Sequence, residues 1–326
     1  MARGMDGLLI IDKSEGMTSL DVVREIKRRL RAKKAGHIGT LDPFATGVLP
    51  IAINEGTKLV PFIEEGPKEY EVTLQLGEET TTDDWTGKVV MKKPWEEVQP
   101  EKIEALLSSF LGKIQQTPPM FSAIKMQGKP LYRLARKGVE VERKQREVEI
   151  YKIQLKKIDL PFVHFQISCS KGTYIRSLGR DLGRKIGCGG HLRHLRRTRS
   201  GPFTLEQAIP WSTVKGFFRR YQFSPWLISL EEALPSLPEL IGDEQLVRKV
   251  RFGKEMVVQD LPSQVLPPFD KGEWVKISSP MEGLVAILKS EIRGGEIPWA
   301  DPETVAFRPI RIFQPHERFS MEGRLC

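Results

Sequence analysis

The residues with the clearest chemical potential lie together in Gly36-His37-Ile38-Gly39-Thr40-Leu41-Asp42-Pro43-Phe44-Ala45-Thr46-Gly47-Val48-Leu49-Pro50. Gly36, Gly39 and Gly47 open backbone conformations closed to other residues, and Pro43 restricts both its own backbone and that of Asp42. Such a loop can hold one carboxylate in one direction. The same Asp-Pro pair also suits an Asx turn, in which Asp42 only bonds neighbouring backbone. Two other stretches carry suggestive residue types. Cys188-x-x-His191-x-x-His194 has metal-like ligands and spacing, but it lacks a nearby fourth ligand and sits among arginines that repel a cation. No metal is expected. Gly179-x-x-x-Gly183 follows no phosphate-loop pattern and has an apolar helical stripe through it, so close helix packing is expected there.

Regular elements must position these residues. Gly7 to Asp12 reads as a first strand. A helix is expected from about Thr18 to Lys33, with Thr18 and Ser19 as cap candidates and Val22, Val23, Ile26 and Leu30 as its apolar stripe. Gly36 to Pro50 is rich in Gly, Thr, Asp and Pro and is expected to be a structured loop. Tyr70, Val72, Leu74 and Leu76 alternate with polar residues, as do Val163, Phe165, Ile167 and Cys169, which predicts two half-buried strands. Ile103, Leu106, Leu107, Phe110 and Leu111 predict a helix ending at Gly112, and Ile175, Leu178, Leu182 and Ile186 predict another. Without a regular βαβ rhythm, the pattern predicts an α+β fold with a mixed, largely antiparallel sheet.

Length agrees with more than one such unit. The chain has 326 residues, which at roughly 150 per domain suggests about two domains. From Thr204 to Leu240 it becomes short and proline-broken, and Pro235, Pro238 and Gly242 suit a linker. The expected division is 1–240, a small strand-rich domain at 241–314 with Phe252-Gly253-Lys254 and Trp274 to Ile277 among its pieces, and a tail at 315–326.

With 40% hydrophobic and 29% charged residues, the composition is that of an ordinary soluble globular protein. The longest apolar run, Leu284 to Leu288, falls far short of the ~20 residues that span a bilayer. The first residues show no export signal, and Cys169, Cys188 and Cys326 form no disulfide framework, so a cytoplasmic location is expected. The net charge of +9 is segregated: Lys171 to Arg199 holds nine basic residues and one acidic, whereas Glu64 to Glu104 holds twelve acidic and five basic. Arg24 to Lys34 and Lys125 to Arg146 are basic as well. This segregation favours a polyanion such as nucleic acid as partner over plain solvated helix faces.

The pattern His37-x-Gly39-Thr40-Leu41-Asp42-Pro43-x-Ala45-x-Gly47-x-Leu49 resembles the catalytic motif of the TruB family of tRNA pseudouridine synthases. Further matches follow in order at Gly56-Thr57-Lys58, Lys68-x-Tyr70, Leu76-Gly77, Gln116-x-Pro118-Pro119-x-Phe121-Ser122-Ala123, Gly172-Thr173-Tyr174-Ile175-Arg176-Ser177-Leu178 and Leu195-Arg196-Arg197. Together they cover about residues 7 to 205. The resemblance to the family's C-terminal RNA-binding PUA domain, over roughly 240–314, is much weaker.

The resemblance implies a pseudouridine synthase catalytic domain at 1–240, with an insert around 80–150 that grips the T arm, and a PUA-like domain at 241–314. It implies isomerisation of the uridine at position 55, in the T loop of tRNA, without cofactor or metal. Asp42 is then the nucleophile, attacking either C6 of the base or C1′ of the ribose, and Arg176 its ion-pair partner. Tyr70 stacks on the extruded base, and its hydroxyl helps remove the C5 proton. His37 fills the space that the base leaves, Tyr174 and Leu195 line the pocket, and Lys58 binds phosphate or supports the site. The expected partner is the tRNA T stem-loop, with no membrane, no obligatory protein partner and a monomeric state. Two other readings stand beside this one: the guide-RNA-dependent relative found in box H/ACA particles, and a non-catalytic tRNA-binding folding chaperone.

Overall fold

The computed structural model describes residues 5–63, 66–126, 128–217, 219–261 and 266–314. A ten-stranded mixed sheet forms the larger part of the molecule. Its path runs Ile209–Pro210, Gly7–Lys13, Thr46–Ile53, Gly190–Ser200, Lys68–Leu76, Phe162–Cys169, Arg146–Asp159 and Gly112–Gln116, with Ala35–His37 and Phe203–Thr204 attached at the side. Two contacts are parallel, Ile209–Pro210 with Gly7–Lys13 and Gly190–Ser200 with Thr46–Ile53; the other pairings are antiparallel. The expected largely antiparallel α+β fold is therefore present.

The two alternating segments became strands Lys68–Leu76 and Phe162–Cys169, paired Tyr70 to Ile167. Tyr70, Val72, Leu74 and Leu76 are buried on one face, where helix Ile175–Ile186 lies with Ile175, Leu178, Leu182 and Ile186 inward. The glycine pair in that helix serves contact with the sheet. A Cβ on Gly183 would stand 2.3 Å from the Gly190 nitrogen, and one on Gly179 would stand 2.7 Å from a Leu192 methyl.

The first helix, Ser19–Leu30, is shorter than expected. Thr18 and Asp21 close its start with a reciprocal capping box, while Arg31 turns left-handed at φ 50° and ends it. The stretch expected to be loop throughout differs at both flanks. Ala35–His37 and Thr46–Ile53 pair antiparallel, because Val48, Leu49, Ile51, Ala52 and Ile53 form a run buried on both faces, the signature of a central strand. Only residues 38–45 remain irregular. The parallel contact between Thr46–Ile53 and Gly190–Ser200 spans just Thr46–Arg196 and Gly47–Arg197. Gly47, at φ 101°, allows it: a Cβ there would lie 2.1 Å from the Arg197 carbonyl oxygen.

A second sheet of five strands runs Glu239–Ile241, Trp274–Ser279, Gly283–Ser290, Val305–Ile312 and Met256–Val257. Helix Glu244–Arg251, absent from the sequence reading, starts at the Asp243 cap and buries Leu246, Val247 and Val250. Phe252 and Gly253 form its C-terminal turn rather than strand. Leu284, Ile287 and Phe313 share one apolar cluster with Leu8, Ile10, Val48 and Ala52 of the first sheet and with Leu230 and Leu234 of the connecting segment. The tail at 315–326 lies outside the described residues. Among those residues, no helix is long and apolar enough to cross a membrane.

Gly183→Ala is expected to destabilise the fold by about 1–3 kcal/mol through overpacking against Gly190. Gly216→Ala, where a Cβ meets nothing within 4 Å, should stay within about 0.5 kcal/mol of wild type. Denaturant unfolding of both variants checks the contrast; equal losses would show that the close helix–sheet approach costs nothing to disturb.

Candidate active site

A cavity of about 500 Å³ opens where the Asp42 loop, strand Lys68–Leu76, strand Gly190–Ser200 and the start of helix Ile175–Ile186 converge. Five of the seven expected site residues line it: Asp42, Tyr70, Tyr174, Arg176 and Leu195. The other two do not. His37 sits on strand Ala35–His37, two residues before the lining Gly39. The Lys58 ammonium donates to the Glu55 carboxylate at 2.6 Å and to the Ile312 carbonyl at 2.9 Å, so it ties the end of the second sheet to the helical turn Asn54–Leu59 that follows strand Thr46–Ile53.

Asp42 and Arg176 form a two-pronged pair, Nε to Oδ2 at 2.8 Å and Nη2 to Oδ1 at 3.0 Å. The arginine side chain is 3% exposed and the aspartate 32%, so the pair has a buried cationic half and an anionic half open to the cavity. The remaining guanidinium hydrogens go to the carbonyls of Thr82 and Phe121, both at 2.8 Å, with Asp84 at 3.8 Å. Burial works against the Arg176 charge, but Asp42, Asp84 and Asp83 outweigh it and hold the guanidinium pKa above its ordinary value. The arrangement keeps one carboxylate aimed into a space of ligand size.

The loop that carries Asp42 has its backbone groups bonded on both sides. The Gly39 and Thr40 carbonyls accept from Arg197, and Leu41 exchanges both its amide and its carbonyl with the Ser19 hydroxyl at 2.9 and 3.0 Å. The Asp42 carbonyl accepts from Ala45, and the Pro43 carbonyl from Gly16 and from the Lys13 ammonium at 3.2 Å. Sequence reasoning missed Lys13, took Ser19 only as a helix cap, and counted Arg197 only as charge and motif. The available signals were a lysine closing an apolar strand and an arginine at an inward position of another.

Tyr70 is buried opposite Arg197, and burial pushes its hydroxyl pKa up to about 12 while the Arg197 guanidinium pulls it down. Tyr174 caps the Arg176 helix; its amide donates to the Gln116 side-chain oxygen at 2.8 Å, and its carbonyl accepts from the Gln116 side-chain nitrogen at 3.0 Å. Gln116 thus fixes Tyr174, a role its place in the quoted motif did not disclose. Helix Ile175–Ile186 also grips strand Glu78–Thr80 and the segment after it, with Arg184 on Glu79 at 2.6 Å and Arg180 on Asp83 at 2.9 Å. Two of the metal-like trio are otherwise engaged: the Cys188 thiol donates to the Gly189 carbonyl, and a His191 ring nitrogen bonds the Glu78 carbonyl. Among the described residues, no three His, Cys, Asp or Glu side chains gather as a metal site.

Comparison with known proteins places these residues in a family context. Residues 27–175 match the TruB family pseudouridylate synthase N-terminal domain, and residues 176–234 match the tRNA pseudouridylate synthase B C-terminal domain. The chain is similar to tRNA pseudouridine synthase B of Geobacter sulfurreducens, 43% identical over 95% of this chain and 100% of the relative. It is also similar to that of Syntrophus aciditrophicus, 41% identical over 96% of this chain and 100% of the relative. Among solved structures it resembles an H/ACA RNP bound to a substrate RNA containing 2′-deoxyuridine, with a TM-score of 0.72 and 27% identity, covering 95% of this chain and 86% of the other. A Cbf5-Nop10-Gar1 complex gives 0.72 and 28% over the same shares.

Lys13 carries a pH prediction. Burial lowers its ammonium pKa to about 8, against Asp42, which raises it. Because the folded value is the lower one, the unfolded chain binds more protons between about 8 and the model-compound value of 10.5. The stability difference between wild type and Lys13→Met should therefore grow in favour of wild type as pH rises through that window, by at most about 3 kcal/mol. Chemical denaturation of both proteins between pH 7 and 10 measures it. A difference that shrinks with pH would mean that the lysine is stabilised as a cation.

Proposed function

We propose that this chain, which belongs to the TruB family of pseudouridylate synthases, isomerises the uridine at position 55 in the T loop of tRNA to pseudouridine. The observation that carries the reading is the Asp42–Arg176 pair, its carboxylate open to a cavity that Tyr70, Tyr174 and Leu195 also line. The family's chemistry is an isomerisation in which the bond from C1′ to N1 breaks and one from C1′ to C5 forms. C5 gives up its proton and N1 gains one, so atoms and charge balance without an oxidant or reductant.

In this reading the uridine leaves its stack at a cost of a few kcal/mol and enters the cavity. Asp42 attacks C6 of the base or C1′ of the ribose, and the carboxylate is regenerated when the new bond has formed. Tyr70 stacks on the base as a neutral phenol, since its pKa stands near 12, and its oxygen lone pair handles the C5 proton. Tyr174 and Leu195 complete the walls. His37, beside the loop, takes the place that the base vacates in the RNA. For Lys58, its bonds to Glu55 and Ile312 favour support of the site over phosphate binding.

Basic segments within 1–240 supply most of the phosphate grip. The 241–314 part, assigned here as PUA-like, holds ten basic and eleven acidic residues and adds shape more than charge. A guide-dependent mode is the second reading, favoured by the 0.72 TM-score to H/ACA particle structures. Identities above 40% to enzymes named tRNA pseudouridine synthase B favour the stand-alone mode, in which the protein works as a monomer on RNA alone.

Purified protein should release tritium from C5-labelled uridine in a bare T stem-loop, with no other RNA or protein added. Release only after a guide RNA is supplied would establish the second reading, and none under either condition would end both. Asp42→Asn should abolish release while RNA affinity stays within about threefold, because the amide keeps the size but loses the nucleophilic charge. Residual turnover in a preparation free of host enzyme would remove Asp42 from its role. Tyr70→Phe should keep stacking and slow single turnover by about 10²-fold or more, the lower range for a proton-transfer group. A wild-type rate would leave Tyr70 only the stacking.

A further inference from the structure

Arg197 is one of the largest side chains buried in the molecule, at 1% exposure. Its guanidinium donates from Nε to the Val48 carbonyl at 2.8 Å, from Nη1 to the Thr40 carbonyl at 3.4 Å and from Nη2 to the Gly39 carbonyl at 3.2 Å. Among the described residues, no carboxylate pairs with it. A buried cation held by carbonyl dipoles alone is a costly arrangement, and an apolar side chain of similar volume would serve packing better. Its surroundings show what the charge does there. Arg197 lies on strand Gly190–Ser200 directly across from Tyr70, both line the cavity, and its guanidinium acts on the Tyr70 hydroxyl. On its other side it grips the loop just before Asp42 and the strand just after it. The contact is tight: a Cβ on Gly39 would come within 3.3 Å of Nη1.

The hydrogen-bonding inventory then fixes a direction. A guanidinium has only donors, so the face of the Tyr70 oxygen that meets Arg197 must accept. The phenol's own hydrogen is turned away from Arg197. We propose that Arg197 is a positioning residue of this reaction: bonded to the Asp42 loop and set against the Tyr70 hydroxyl, it holds nucleophile and phenol in register and fixes the orientation of the Tyr70 hydroxyl for its part in the C5 proton transfer. The inference rests on the proposed function, since it takes uridine to be what enters.

Two variants separate this role from packing. Arg197→Lys keeps the charge but cannot reach three carbonyls and the phenol together; Arg197→Met keeps the bulk without donors. Single-turnover tritium release by Arg197→Lys should fall by about 10²-fold, the scale for a misplacement of about 1 Å, while T stem-loop affinity stays within about threefold. Because the arginine acts partly through Tyr70, the Arg197→Lys/Tyr70→Phe double variant should be slower than Tyr70→Phe by clearly less than the Arg197→Lys factor. Circular dichroism and melting temperature establish which variants fold, and Arg197→Lys with Tyr70→Phe suffices if Arg197→Met does not. A folded Arg197→Lys variant with the wild-type rate, a loss confined to affinity, or rate factors that simply multiply would each overturn the proposal. Wild-type protein is run in parallel: if it fails to release tritium, the function itself falls, whereas a fast wild type beside an unaffected variant removes Arg197 alone.

Discussion

The interaction on which the rest depends is the buried end of the Asp42–Arg176 pair. A guanidinium at 3% exposure must have its hydrogens bonded, because an unsatisfied buried charge costs several kcal/mol. Arg176 meets that demand from three places far apart in the chain: Asp42 in the loop, Thr82 beyond strand Glu78–Thr80, and Phe121 after strand Gly112–Gln116. Satisfying one side chain thus gathers three segments around one cavity. The carboxylate that completes the set is one-third exposed, toward the cavity.

Helix Ile175–Ile186 extends this logic along its length. Arg176, Arg180 and Arg184 stand one helical turn apart and meet Asp42, Asp83 and Glu79 in turn. The helix can lie close enough to the sheet for these reaches because Gly179 and Gly183 present no side chain to Leu192 and Gly190. Apolar residues hold the helix down, glycines set its distance, and arginines attach what lies above it. The acidic run at 64–104, which the charge count set against the basic segments, supplies the partners for two of those arginines.

The two sheets are joined differently. Leu284, Ile287 and Phe313 enter the cluster built on Leu8, Ile10, Val48 and Ala52, and Lys58 bonds the Ile312 carbonyl across the same junction. The back of the strand that follows Asp42 is therefore packed by residues far later in the chain, Leu284, Ile287 and Phe313. Apolar burial there, together with Arg197 on the cavity side, leaves strand Thr46–Ile53 little freedom to shift the loop before it.

Local periodicity made much of this legible from the sequence alone. The alternation around Tyr70 and Val163, the helical spacing from Ile175 to Ile186, and the glycine- and proline-defined loop around Asp42 each declare their structure within ten or so residues. Periodicity did not name the site: Asp42, Tyr70, Tyr174, Arg176 and Leu195 were brought together by the resemblance of their motifs to those of the TruB family. Lys13, Ser19, Gln116 and Arg197 were not named with them. They work by bonding backbone groups of distant segments, and a carbonyl gives no sequence signal because every residue has one. The strands at either end of the Asp42 loop were hidden by Gly36, Gly47 and Pro50, whose turn-forming character holds only until neighbours bury the run between them. Lys58 shows the remaining limit: its type suited a phosphate, and only the packing of the second sheet against the first turned its ammonium to Glu55 and Ile312. The sequence determined which residues are suited to the chemistry; the long-range packing decided which of them meet.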